Sequence, residues 1–322
     1  MSNYDDLEDI TKIGNDFEDD DDDDDELDLI KLVGTNANDT SQYLIFVGSD
    51  NQYYAKNVSK IEELLVFKDL KLVKNNADSL VLGTADIRGN MTSIVNFDQW
   101  YGNEVLDDQE YELVILAHYG GHRMGVVVKR VEYIVNIPSE TMVDNSDNND
   151  KSSFITKVQV AGKEELCIIF DSDKMLLDVF DKVDKDNQIQ TKQFKPMANT
   201  KKRIVFADDS KFIRKMVQEL FTTLDVNFNI YDNGKELVDA LPDIPTEEIG
   251  LFITDLEMPV MGGRDVIKYI REHEEYDKIK RIVHTNMSND VMEDELRKSG
   301  VDDIIGKVNM LKLGEAINKL MI

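Results

Sequence analysis

The sequence predicts two folded parts of different class: an all-β part over residues 40–182 and a doubly wound α/β part with a parallel sheet over residues 202–322. Three observations carry this reading. Short β-prone runs of period near two, separated by Gly, Asn and Asp, fill the first part. Five apolar strands alternate with five amphipathic helices in the second. Between them, "DKVDKDNQIQTKQFKPMANTKK" is polar and holds no sustained period, so residues 183–201 read as a linker.

The chain starts with an acidic tail. Residues 1–30 hold 15 acids and one lysine, and Asp19 to Asp25 is an unbroken run. Like charges at this density repel, and few apolar groups offset the entropy of ordering. Residues 1–39 are therefore expected to be a mostly disordered tail and lead-in. Overall, 65 acidic residues against 37 basic ones give a formal charge of −28. That sign argues against binding nucleic acid or inserting into anionic membrane. No basic and apolar leader opens the sequence, and no apolar run approaches the ~18 residues of a membrane span, so the expected compartment is the cytoplasm.

In the β part, "YLIFVGS", "YYAKNV", "LVLGTADIR", "MTSIVNF", "YELVILAHYG", "RMGVVVKRVEYIVNI", "FITKVQVAG" and "ELCIIFD" are the strand candidates. Many short strands around Gly turns point to small barrels or a barrel pair. Two stretches have helical spacing, "VSKIEELLVF" and "SDKMLLDVF". Cys167 is the one cysteine, which excludes an internal disulfide framework; inside "LCIIF" it reads as an inert core thiol. No P-loop, nucleophile–base arrangement or clustered metal spacing stands out in residues 41–180.

In the α/β part, "RIVFA", "VNFNIY", "LFITD", "RIVHT" and "VDDIIGK" are strands. "SKFIRKMVQELFTTL" places Ile213, Val217, Leu220 and Leu224 on one helix face. Sheets of this kind put their sites beyond the carboxyl ends of the strands. Those ends carry Asp208 and Asp209, then Asp255, Thr285 and Lys307. Three carboxylates forced together repel, and a hard divalent ion with oxygen ligands, Mg²⁺, relieves this. Asp255 is then a candidate nucleophile toward a phosphoryl group. Lys307 would neutralise one phosphoryl oxygen, and the Thr285 hydroxyl would hydrogen-bond another.

With "FADDS", "ITDLEMPVMGG", "VHTNMS" and "IIGKV" at these spacings, residues 202–322 resemble a response-regulator receiver domain. The resemblance implies a parallel sheet of order 2-1-3-4-5. It also implies Mg²⁺ held by Asp208, Asp209, Asp255 and the backbone carbonyl of Glu257, phosphate transfer from a histidine kinase to Asp255, and sensing by Thr285 and Lys307. The chain departs from the receiver pattern at Ile304, where an aromatic switch is common, and at Val308, where proline often follows the lysine. The Glu257 side chain would add negative charge near the phosphoryl group and is expected to alter its lifetime.

"LVLGTADIRGNMTSIVNF", "HRMGVVVKRVEYIVNIP" and "ELCIIFDSDKML" resemble the CheW-like coupling domain, with Asp86-Ile87-Arg88-Gly89 in place of the usual Asn-Leu-Arg-Gly. That resemblance implies a pair of small five-stranded barrels acting as an adaptor, with Arg88 on the coupling surface or supporting its turn. Joined to the receiver, the whole resembles CheV-type chemotaxis coupling proteins. Implied partners are a chemotaxis histidine kinase, chemoreceptor cytoplasmic tips and CheW-like proteins in a receptor array at the membrane, reached through protein contacts. The implied role is an adaptor tuned by its own phosphorylation, for adaptation or as a phosphate sink, and not an enzyme. The alternative is a receiver that regulates catalysis in residues 41–180.

Overall fold

A computed structural model describes residues 40–75, 79–119, 122–145, 151–180, 191–197, 201–286 and 290–321. The acidic tail and most of the linker lie outside the described residues.

The first part contains twelve described strands. They are β1 (Thr40–Val47), β2 (Tyr53–Asn57), β3 (Glu63–Val66), β4 (Leu72–Lys74), β5 (Val81–Ile87), β6 (Asn90–Asn96), β7 (Leu113–Tyr119), β8 (His122–Val128), β9 (Arg130–Pro138), β10 (Val143–Asp144), β11 (Ser152–Val160) and β12 (Lys163–Phe170). They form two sheets, β10-β11-β12-β2-β1-β9 and β3-β7-β8-β6-β5-β4. Each sheet has six strands where five were expected. The additional members are short edge strands, β10 with two residues and β4 with three. Edges this short limit pairing with other chains.

Between the sheets lies one shared core. Phe46, Tyr54 and Phe170 from the first sheet meet Val95, Ile115 and Val126 from the second, with Phe97 and Trp100 of the short helix α1 (Phe97–Tyr101). The Phe46 and Phe97 rings cross edge to face with centroids 4.9 Å apart, a favourable quadrupole arrangement. Cys167 is fully buried in the first sheet's own core, and burial pushes its thiol up to about 12, as expected of an inert residue.

The expected helix over "VSKIEELLVF" is not formed. Asn57 caps a single 3-10 turn at Val58–Lys60, and Glu63–Val66 pairs with β7. Ladder bonds to a neighbouring strand outweigh the local helical spacing. "SDKMLLDV" does form a helix, α2 (Ser172–Val179), capped by the Asp171 carboxylate, which accepts from the backbone N–H groups of Asp173 and Lys174.

The second part is a parallel five-stranded sheet, in the order β14-β13-β15-β16-β17, which is 2-1-3-4-5 in chain order. Its strands are β13 (Arg203–Ala207), β14 (Asn227–Tyr231), β15 (Ile249–Thr254), β16 (Lys280–His284) and β17 (Asp303–Ile305). The helices are α3 (Lys211–Leu224), α4 (Gly234–Ala240), α5 (Gly263–Glu272), α6 (Glu274–Asp277), α7 (Asp290–Lys298) and α8 (Met310–Leu320). Ile213, Val217, Leu220 and Leu224 are buried together against the sheet, as their spacing requires. Residues 39–322 belong to one compact unit, so the two parts contact each other directly. Helix α2 of the first packs on α3 of the second, and Val308 joins the shared β core beside Met175, Leu176 and Phe212.

Candidate functional site

The stretch Ile253–Gly263 explains itself at the sheet edge. β15 is buried, and Asp255 follows it with its N–H bonded to the Ala207 carbonyl of the adjacent strand at 2.9 Å. The turn into α5 then folds back tightly. A Cβ on Gly263 would stand 2.0 Å from the Asp255 carbonyl oxygen, so only glycine fits. The Leu256 N–H donates to Asp255 Oδ1 at 2.7 Å and fixes the carboxylate.

Asp208 and Asp209 follow β13. Ser210 caps α3, and its N–H donates to Asp208 Oδ1 at 2.9 Å. Arg214 donates to the carbonyls of Asp208 (2.8 Å) and Asp209 (3.0 Å) and pairs with Asp232. It locks the acidic loop, a role the sequence reading missed because Arg214 sits among ordinary polar helix positions. Ligand oxygens of Asp208, Asp209 and Asp255 lie within 4.8 Å of one another.

Lys307, 2% exposed, enters this group. Its Nζ is 2.8 Å from Asp255 Oδ2, 3.1 Å from Asp208 Oδ1 and 3.8 Å from Asp209 Oδ1. Burial opposes its charge, yet Asp173, Asp208 and Asp255 hold it protonated well above the ordinary lysine range. Burial pushes Asp255 up to about 6, against the pull of Lys307, and lifts Asp208 well above the usual carboxylate range. Thr285 follows β16, buried, with its N–H bonded to Ile305 of β17. The sequence-derived set of Asp208, Asp209, Asp255, Thr285 and Lys307 thus lies at one sheet edge.

The donor set fits Mg²⁺. Three carboxylates converge, and Asp208 Oδ2 is buried without a hydrogen-bond partner, an oxygen poised for a cation. The Glu257 carboxylate stands apart from this group and accepts from Ser59 Oγ at 2.8 Å.

Ser59 belongs to the β part, and other residues of that part also reach the site. Asp171 Oδ2 accepts from Ser210 Oγ (2.8 Å), and Ser139 Oγ accepts from the Val260 N–H (2.8 Å). Lys60 Nζ is 3.7 Å from Asp209. Asp173 accepts from Asn286 Nδ2 (2.6 Å) and from Lys307 Nζ (3.2 Å). Nothing in the local sequence distinguishes Lys60 or Asp173, since a turn lysine and an acid in a helix's first turn are ordinary.

Arg88 lies on the two-residue turn between β5 and β6. Arg88 (φ 52°) and Gly89 (φ 80°) are both left-handed, as such a hairpin requires. Its side chain is 75% exposed and pairs with Glu63 at 2.7 Å. The turn carbonyl of Ile87 is held instead by Arg123 Nη1 at 2.9 Å, with Arg123 paired to Glu62.

These two parts match two family models: the CheW-like domain over residues 42–180 and the response regulator receiver domain over residues 204–318. The chain is therefore a two-domain signalling protein that joins a CheW-like domain to a receiver. Chemotaxis protein CheV2 of Helicobacter pylori is 25% identical over 310 residues, spanning 91% of this chain and 99% of its own. Chemotaxis protein CheV1 of the same organism is 27% identical over 315 residues, spanning 90% and 96%. Chemotaxis protein CheY of Thermotoga maritima is 31% identical over 121 residues, 37% of this chain and 97% of that one. With both domains present in this order over nearly the full length of those relatives, the chain is a CheV-type protein.

Proposed function

We propose that this protein is a chemotaxis adaptor that couples chemoreceptors to a histidine kinase through its CheW-like domain, and that phosphorylation of Asp255 modulates the coupling. One observation carries the reading: a single buried ammonium, Lys307, bridges the candidate phosphoacceptor Asp255 in the receiver and Asp173 in the CheW-like domain. A change of charge on Asp255 is therefore felt directly by the adaptor domain.

In the transfer step, an Asp255 carboxylate oxygen attacks the phosphorus of a kinase phosphohistidine. The P–O bond forms as the P–N bond breaks, and the imidazole leaves with the electron pair and takes up a proton. Asp208, Asp209, Asp255 and the Glu257 carbonyl would hold Mg²⁺, which supplies charge neutralisation at the phosphoryl oxygens. Lys307 neutralises the acyl phosphate, and Thr285 orients it by its hydroxyl. Arg214 keeps the two acids of the β13 loop in place by holding their carbonyls.

For the switch to be decisive, phosphorylation must favour one arrangement by several kcal/mol, about 5.5 for a reversal from 1:99 to 99:1. Phosphorylation would exchange a carboxylate for a group of about −1.5 to −2 charge beside Lys307 and Asp173. The modulation would serve adaptation of receptor coupling or a phosphate sink. Among the described residues no helix is long and apolar enough to cross a membrane, so the reading places the protein at receptor arrays through protein contacts.

The test is phosphotransfer. The full chain is incubated with Mg²⁺ and a labelled, autophosphorylated chemotaxis histidine kinase, beside Asp255→Asn. Label on the wild type and not on the variant is expected. A folded wild type that takes no label from a competent kinase overturns the phosphorylation part of the reading.

A further inference from the structure

The CheW-like domain does more than border the receiver site: it places a cation, Lys60, beside Asp209 and an anion, Asp173, beside Lys307. Lys60 Nζ stands 3.7 Å from Asp209. The Asp173 carboxylate, itself buried, takes one hydrogen bond from Asn286 Nδ2 at 2.6 Å and pairs with Lys307 Nζ at 3.2 Å. Asn286 directly follows Thr285, and Lys307 is the cation that faces Asp255. An anion seated between the lysine and the β16 loop occupies the surroundings that a phosphoryl group on Asp255 needs.

Resting on the reading that Asp255 accepts a phosphoryl group, we propose that Asp173 is an internal stand-in for that group: it engages the receiver's phosphoryl-binding side chains, so docking of the CheW-like domain and phosphorylation of Asp255 exclude one another. Two further observations agree. Asp255 is 1% exposed with the CheW-like domain docked, so an incoming phosphohistidine would reach it only after the site opens. The docking contacts also ring the site, with Ser59 on Glu257, Ser139 on the Val260 N–H and Asp171 on Ser210. They are single hydrogen bonds, each modest in net worth because water replaces it on opening. Asp173 and a phosphoryl group would compete for one ammonium and repel each other in a site with little water to screen them. The released state would expose α2, the face of α3 that it covers and the Lys60 turn.

The experiment uses the full chain with Mg²⁺ and beryllofluoride, a stable phosphoryl mimic. Fluorine NMR reads occupancy of Asp255, and hydrogen exchange reads docking at α2 and at the amide of Val260. The expected result is that occupancy raises exchange at these positions at least tenfold while β13 and β15 stay protected. Asp173→Asn is expected to raise exchange at α2 without the mimic and to increase apparent beryllofluoride affinity at least tenfold. A bound fluorine signal with exchange at α2 unchanged would overturn the proposal and leave the phosphoacceptor reading standing. No bound signal in wild type or Asp173→Asn would overturn that reading, and the proposal with it. The wild-type arm decides even where the variant folds poorly.

Discussion

Gly263→Ala tests whether the backbone turn behind the candidate phosphoacceptor, Asp255, is as tight as its geometry says. The added Cβ would meet the Asp255 carbonyl oxygen at 2.0 Å, its carbon at 2.9 Å and Leu256 Cα at 3.1 Å. All three are main-chain atoms, so no flexible side chain can give way. Overpacking of this kind costs about 1–3 kcal/mol, and a main-chain clash belongs at the upper end. Alanine's better helix propensity at the start of α5 returns at most about 1 kcal/mol. The net expectation is a receiver destabilised by about 2 kcal/mol, with a melting temperature lower by about 8 °C for a domain of this size. Gly306→Ala is the control, because no atom lies within 4 Å of its Cβ position and its φ is ordinary. Far-UV circular dichroism during urea unfolding follows the receiver, which holds α3 to α8. Fluorescence of Trp100, the one tryptophan, follows the CheW-like domain. Gly263→Ala should shift the first and spare the second. If it unfolds within about 0.5 kcal/mol of Gly306→Ala, the steric argument is wrong.

Four other changes separate roles that share this chain. Arg214→Lys cannot hold the Asp208 and Asp209 carbonyls and Asp232 at once, so Mg²⁺ affinity measured by calorimetry should fall about tenfold, as for other groups that orient metal ligands. Arg123→Ala loses the Glu62 pair and the Ile87 carbonyl and should cost about 1–3 kcal/mol in urea unfolding, whereas exposed Arg88→Ala should stay within about 0.5 kcal/mol. Any effect of Arg88→Ala on kinase coupling is then a surface effect, and unchanged coupling removes Arg88 from that surface. His284 is held down to about 3 by burial and then by Lys307, so the native ring stays neutral while the unfolded ring takes a proton below its ordinary 6.5. Its contribution to stability is complete above pH 6.5 and is lost as pH falls toward 3, so His284→Leu should flatten the acid side of the stability–pH curve relative to wild type.

How much the sequence disclosed follows from where each residue's partners lie. Asp208, Asp255, Thr285 and Lys307 were legible because a parallel sheet brings the carboxyl ends of its strands to one edge whatever lies between them. The strands were legible from apolar runs bounded by turns, and α3 from its single buried face. The segment from Val58 was misread because its apolar spacing suits a helix, while the deciding contact, Glu63–Val66 on β7, lies about fifty residues away. Asp173 was invisible for the same reason: its ion pair spans 134 residues, and locally it is an acid in a helix's first turn. Lys60 and Arg214 are likewise defined by what they reach.

The departures from the receiver pattern acquire a physical meaning once the domains are seen together. Ile304, where an aromatic switch is common, packs within the receiver against the cluster of Val283, Leu296 and Val301. Val308, where a proline is common, is buried instead in the core of the CheW-like domain, with Met175 and Leu176 of α2 and the adjoining Phe212 and Met216 of α3. The residue beside it is Lys307, whose ammonium is shared between Asp255 and Asp173. One peptide unit therefore joins the cation paired with Asp255 to an apolar contact between the domains. On the proposed reading, a displacement of Lys307 toward a phosphoryl oxygen would carry the Val308 backbone with it, without any aromatic lever. Both changes would then act in the same direction, because loss of the Asp173 pair and displacement of Val308 would each weaken docking. A signal raised by the proposed phosphorylation would leave the receiver through residues 307 and 308, toward the domain that is already in contact.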